Sequence, residues 1–244
     1  DRIGTCDDEV KRGAMMEREK RLQGIIFLGG RFDYTPADLA LLNVPFVCCS
    51  YSNRYGTLTE GEYSSVSIAD GDTAQQAVEE LYRHGHRRIA ALISRPNDQS
   101  ISQLRYEGYV QALESHGIPV DPELVISTGG FGAKDAYRAV QEKMAENVDF
   151  TALFAIADSM AIGAMRALMD AGRRIPEDCS VIAIDGLELS AYIEPPLTTL
   201  CQPMEEMGRR SAEILLDMVR HKGSHACELL PTTLRRGGSV VALQ

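Results

Sequence analysis

No stretch of the 244-residue chain approaches the ~18 consecutive apolar residues that a membrane-spanning helix requires, and the opening DRIGTCDDEVKR lacks a charged segment leading into an apolar one. The pattern therefore argues against a membrane span, and nothing in that opening points to secretion. Cys-x-x-Cys pairs are also missing. Cys6, Cys48, Cys49, Cys179, Cys201 and Cys227 are scattered, which argues against a zinc cluster or a small disulfide scaffold and for reduced thiols. Positive charge is in deficit: 25 Lys and Arg stand against 35 Asp and Glu, a formal charge of −10. That balance repels nucleic acid and acidic membranes from most of the surface. Low-complexity tracts and internal repeats are absent as well, while 44% apolar residues over this length suffice for two ordinary globular cores.

The sequence is equally poor in enzyme signatures. The glycine-rich LGGRF (28–32) and TGGFG (128–132) are neither GxGxxG nor a Walker A loop, and no GK[ST] occurs. His84 and His86 lie at an expected helix end, where imidazole meets terminal carbonyls, and no third ligand completes a metal site. Alternation along a strand would bury only one of Cys48 and Cys49. Ser159 lacks the GxSxG elbow of a hydrolase nucleophile. The expectation is a protein with no catalytic residues, no metal and no cofactor.

What is present is a regular alternation. Short β-rich runs at 2–6, 24–28, 45–49, 65–68, 89–93, 124–127, 152–156 and 181–184 are separated by amphipathic segments. These fall at 8–21, 36–42, 73–84, 100–116, 133–145, 159–171 and 205–220. The apolar residues of the second set recur at three and four, and Gly85, Gly117 and Gly172 close three of the helices. Such alternation predicts an α/β fold with parallel sheets covered by helices. Ligands of such sheets gather beyond the carboxyl ends of the strands. That rule selects Asp70 and Asp72, Arg95 to Gln99, Phe131, Asp158 and Asp185, with Arg105 in the first turns of the following helix. Carboxylates, an arginine fork and an aromatic face suit a hydroxyl-rich small molecule. Asp158 has a second reading as the cap of the helix that follows it, whereas no helical pattern directly follows Asp185.

These residues carry a resemblance to the effector-binding core of the lac repressor family of bacterial transcription regulators. The matching segments run in order: GIIFLGG, VEELYRHGHRRIAALIS, RYEGYVQALESHGI, and above all IADSMAIGAMRALMDAGRRIPEDCSVIAIDGLELSAYIEPPLTTLCQ. The resemblance implies a type I periplasmic-binding-protein-like fold: two Rossmann-like subdomains joined by three crossovers near Gly85, Cys201 and Pro231, with the effector in a cleft whose closure alters operator affinity. The subdomains would comprise 1–84 with 202–231, and 85–201 with 232–244. Carried over residue by residue, Arg105 matches the effector-clamping arginine and Asp185 the cleft aspartate. Phe131 matches the stacking aromatic, Asp72 a second cleft carboxylate, Gln202 the end of the crossover motif, and Asp158 the acidic member of an Asn-Asp pair.

The family asparagine is replaced by Ala157, and Gly237 stands where the family has an arginine. The family's first strand and helix have no counterpart, and its DNA-binding helix-turn-helix is likewise absent, so the expectation is either that residues upstream were omitted from this sequence or that the fragment is not an autonomous fold. The resemblance implies a homodimer that binds operator DNA through that helix-turn-helix; the unpaired cysteines favour the cytoplasm, and Arg105, Asp185 and Asp72, without further basic residues, suit a neutral carbohydrate. The turn DGLELSAYIEPP, with Leu187, Leu189 and Tyr192, would lie at the dimer interface. The alternative is an extracytoplasmic sugar-binding protein serving a transporter, because fold alone does not fix function.

Overall fold

In the computed structural model, residues 9–221 and 223–243 are described; the expected strand at 2–6 lies outside them. The chain divides into two compact units. Unit 1 holds the residues up to Ile68 and Pro203–Pro231; unit 2 holds Ala69–Gln202 and the stretch from Thr232 onward. Three passages of the chain therefore connect them.

Unit 1 is built from helix α1 (Glu9–Lys20), strand β1 (Ile25–Leu28), the single turn α2 (Pro36–Leu39), β2 (Phe46–Cys49), β3 (Ser65–Ser67), the long helix α7 (Met204–His221) and β9 (Cys227–Leu229). The strands form a parallel sheet in the order β1-β2-β3-β9. Both cysteines of β2 are buried, because the strand is covered on its two faces, so the expected alternation fails there. Burial pushes the Cys48 thiol up to about 12, which leaves it protonated and inert at neutral pH.

Unit 2 contains α3 (Asp70–Arg83), β4 (Ile89–Ile93), α4 (Ile101–Ser115), β5 (Val125–Ser127), α5 (Ala133–Ala145), β6 (Ala152–Ala155), α6 (Asp158–Asp170), β7 (Ser180–Asp185), β8 (Thr198–Cys201) and β10 (Thr233–Arg235). Its sheet runs β10-β8-β7-β6-β4-β5, parallel except for the antiparallel edge pair β8 and β10. IAALI, ALFA and SVIAI are fully buried, as unbroken apolar runs must be when helices cover both faces. Each large apolar side chain so buried stabilises the unit by roughly 1.5–3 kcal/mol.

Two helix pairs cover this sheet, α3 with α4 and α5 with α6, and each close approach depends on a glycine. A Cβ on Gly108 would lie 2.1 Å from the Gly71 carbonyl oxygen, and one on Gly163 would lie 2.0 Å from that of Ala133. Because α3 packs on α4 and against β6, β7 and β8, it belongs to unit 2. The boundary accordingly falls at Ile68 and Ala69 rather than at Gly85, and Gln202 closes unit 2 rather than opening unit 1.

Candidate functional site

The site in unit 2 follows from the α3–α4 contact. Ser100 caps α4, its hydroxyl accepting the Ser102 amide, and Arg105 follows within the next turn. Gly108, one turn further on, lets the start of α3 come close. Asp70, the first residue of α3, is thereby brought beside Arg105.

The guanidinium is 2% exposed. Nε donates to Asp70 Oδ1 at 2.8 Å, and Nη1 donates to the Ile156 carbonyl and to Asp185 Oδ1, the latter at 3.2 Å. Nη2 is buried and has no hydrogen-bond partner among the described residues. A buried donor left unpaired costs about 1–3 kcal/mol, so this amino group is poised for an acceptor brought by something else. Asp185, which ends β7, also accepts from Gln202 Nε2 at 2.7 Å on Oδ1, and its carbonyl accepts the Gln202 amide. Its Oδ2 takes none of these bonds. Its φ is 131°, a region disfavoured for a residue with a Cβ, and strain of this kind gathers at functional sites at about 1–3 kcal/mol each.

Electrostatics reinforce the geometry. Burial pushes the Asp70 carboxyl up, against the pull of the Arg105 charge, while the carboxylates of Asp70 and Asp185 hold the guanidinium protonated despite its burial. One arginine facing two carboxylates leaves no surplus positive charge for an anionic ligand.

The structure thus brings together Arg105, Asp70, Asp185 and Gln202 of the residues singled out from the sequence. Asp72 is exposed and takes no part in the cluster; Asp70, two residues nearer the strand end, stands in its assigned place. The helix begins at Asp70 with Ala69 as its cap residue, three residues before the expected start at 73, and this earlier start puts Asp70 beside Arg105. Phe131, 39% exposed, lies beyond β5, and its carbonyl accepts from Ser159 Oγ.

Asp158 is the first residue of α6 rather than its cap, which is Ala157. Its carboxylate is wholly buried and fully engaged: Oδ2 accepts the Leu187 amide and Ser190 Oγ, both at 2.7 Å, and Oδ1 accepts Thr199 Oγ1 at 2.6 Å. Burial raises its pKa, and those three hydrogen bonds oppose the rise. Among the described residues no cluster of three or more His, Cys, Asp or Glu is placed to hold a metal, and no described helix is long and apolar enough to cross a membrane.

The profile of the periplasmic binding protein-like domain matches residues 78–240. The chain belongs to that family, and its homologues within it are regulators of the lac repressor type, whose effector-binding core it covers. It is 36% identical over 218 residues to the HTH-type transcriptional regulator MalR of Clostridium butyricum, a match covering 89% of this chain and 64% of that protein. Among solved structures, the complex of the transcriptional regulator CelR with cellobiose superposes with a TM-score of 0.82 at 32% identity, covering 95% of this chain and 70% of that one. The lac repressor dimer bound to operator and an anti-inducer gives 0.79 at 26% identity, covering 95% and 78%. The chain spans 62–64% of the length of the curated relatives it matches.

Proposed function

We propose that this chain is the effector-binding core of a cytoplasmic bacterial transcription regulator, and that the effector is a neutral saccharide. The unpaired, buried Nη2 of Arg105 carries the reading. Beside it stands Asp185 with one carboxylate oxygen free of the bonds to Arg105 and Gln202, so a donor and an acceptor face adjacent hydroxyls of a polyol. Asp70 and Gln202 hold these two groups in place, and Phe131 supplies an apolar face for a sugar ring. The absence of surplus positive charge speaks against a phosphorylated or carboxylated effector. In the intact protein the core would form a homodimer and control binding to operator DNA through a domain outside these residues. The similarity to regulators, one of them solved with cellobiose, favours this role over delivery of sugar to a transporter.

The test is calorimetric titration of cellobiose, glucose, galactose and ribose, with glucose 6-phosphate as the anionic control. A neutral sugar is expected to bind the wild type and Asp72→Asn alike. Its affinity should fall by about 1–3 kcal/mol in Asp185→Asn, where a ligand hydroxyl loses its charged acceptor. Binding of the phosphate alone, or equal affinity in wild type and Asp185→Asn, refutes the assignment.

A further inference from the structure

Asp158 sits outside the cluster formed by Arg105, yet it governs the segment that follows Asp185. The chain leaves β7 through two consecutive residues of positive φ, Asp185 at 131° and Gly186 at 77°. Gly186 is packed against β8 so closely that a Cβ would lie 2.5 Å from Cys201 Sγ. Leu187 and Ser190 then return to Asp158 Oδ2, while Oδ1 is fastened to β8 through Thr199. Arg235 on β10 closes the ring, donating from Nη2 to Ser190 Oγ and to the Leu187 carbonyl. One buried carboxylate therefore anchors the short 3-10 turn Glu188–Ala191 and stops the strained corner at Asp185 and Gly186 from relaxing. The same turn holds up Leu189 and Tyr192, which are 63% and 78% exposed.

We infer that Asp158 is a positioning residue for Asp185: it holds the corner in the geometry that aims the Asp185 carboxylate beside Arg105, and it does so through the Leu187 amide and the Ser190 hydroxyl rather than by touching an effector. This rests on the saccharide reading of the Arg105 and Asp185 pair. The mechanism is mechanical and local. If the carboxylate loses its charge, the two donors on the turn keep only a weaker, uncharged acceptor, and the corner is freer to adopt a less strained backbone.

The experiment compares wild type with Asp158→Asn, Ser190→Ala and Thr199→Val, read first by hydrogen exchange of the ligand-free chain and then by titration of cellobiose. Exchange at residues 186–192 is expected to accelerate about tenfold or more in Asp158→Asn and Ser190→Ala, the equivalent of one charge-assisted hydrogen bond, with β4 and β6 unchanged. Thr199→Val leaves the turn tied to Asp158 and should leave that segment close to wild type. Cellobiose affinity should fall by a similar factor in the first two variants and hold in the third.

Acceleration spread evenly across unit 2 in all three variants would mean that the carboxylate merely supports the fold, and the inference fails. It fails too if Asp158→Asn loses cellobiose while Ser190→Ala keeps it, because Asp158 would then be a ligand contact. If cellobiose does not bind the wild type, that choice of saccharide falls, and the exchange result alone decides whether Asp158 holds the corner.

Discussion

Replacing Arg105 by methionine removes the positive centre of the site while keeping most of its volume. Asp70 would then be left 5% exposed with no partner for the 2.8 Å bond it makes now. Breaking a buried ion pair from one side costs about 3–5 kcal/mol, a large share of the roughly 5–15 kcal/mol that holds an ordinary domain together. At roughly 2–4 °C per kcal/mol for a unit of this size, the melting temperature should fall by roughly 6–20 °C. Asp185, with a side chain 20% exposed, retains water and adds little.

The deficit must also depend on pH. Burial already raises the Asp70 carboxyl, and loss of the guanidinium raises it further. A carboxyl whose folded pKa exceeds its unfolded value favours the fold below the unfolded value, about 3.9, and that contribution is lost as pH rises through the folded one. Arg105→Met should therefore be least impaired near pH 4 and increasingly impaired toward neutrality. The double variant Arg105→Met with Asp70→Leu, which removes both charges, should recover most of the loss. Urea denaturation followed by circular dichroism at a series of pH values measures all of this. A single variant within about 1 kcal/mol of wild type, or a double variant no better than the single, would refute the claim that Arg105 and Asp70 depend on each other for burial.

Two further outcomes follow from other parts of unit 2. His86 is 1% exposed, with Nδ1 3.1 Å from Thr151 Oγ1 and Nε2 3.1 Å from the Val241 carbonyl; burial lowers its pKa, with His84 and Arg87 adding to the effect. Its neutral form is the stable one in the fold, so its contribution is complete above about pH 6.5 and is lost as pH falls below it, with a slope of at most about 1.4 kcal/mol per pH unit. The difference between the stability profiles of wild type and His86→Gln should show that slope, and a flat difference between pH 7 and 5 counts against it. Gly163→Ala places a methyl on the Ala133 carbonyl oxygen, so thermal denaturation should register a loss of about 1–3 kcal/mol as α5 and α6 are forced apart; no loss would mean that the contact yields freely.

The elements legible in the sequence are those with long, single-period patterns. IAALI, ALFA and SVIAI read as strands buried on two faces, and α3, α4 and α6 carry apolar stripes that stop at Gly85, Gly117 and Gly172. The strands β8, β9 and β10 escape because three or four residues beside prolines show no period. Arg105, Asp185 and Gln202 are reachable from strand ends together with the family resemblance. The strand-end rule offers both Asp70 and Asp72 and the resemblance assigns the cleft carboxylate to Asp72, but the helix begins at Asp70, which puts Asp70 beside Arg105. The engagement of Asp158 is hidden for a different reason: its three partners lie 29 to 41 residues away, a separation that no local pattern encodes.

The last short strand, β10, also constrains how this protein is made. It pairs with β8, and the residues after it are stitched into unit 2 by the bonds from the Val181 amide to the Ser239 carbonyl and from the Leu243 amide to the His84 carbonyl. Unit 1 in turn waits for α7 and β9. A ribosome that has just delivered β7 has therefore released neither unit in finished form, since unit 2 awaits β8 and β10 and unit 1 awaits α7 and β9. Pairings so distant along the chain form slowly and leave apolar strand edges open meanwhile. During synthesis neither unit is thus a folded first half, and chaperone demand should persist until β10 has left the ribosome.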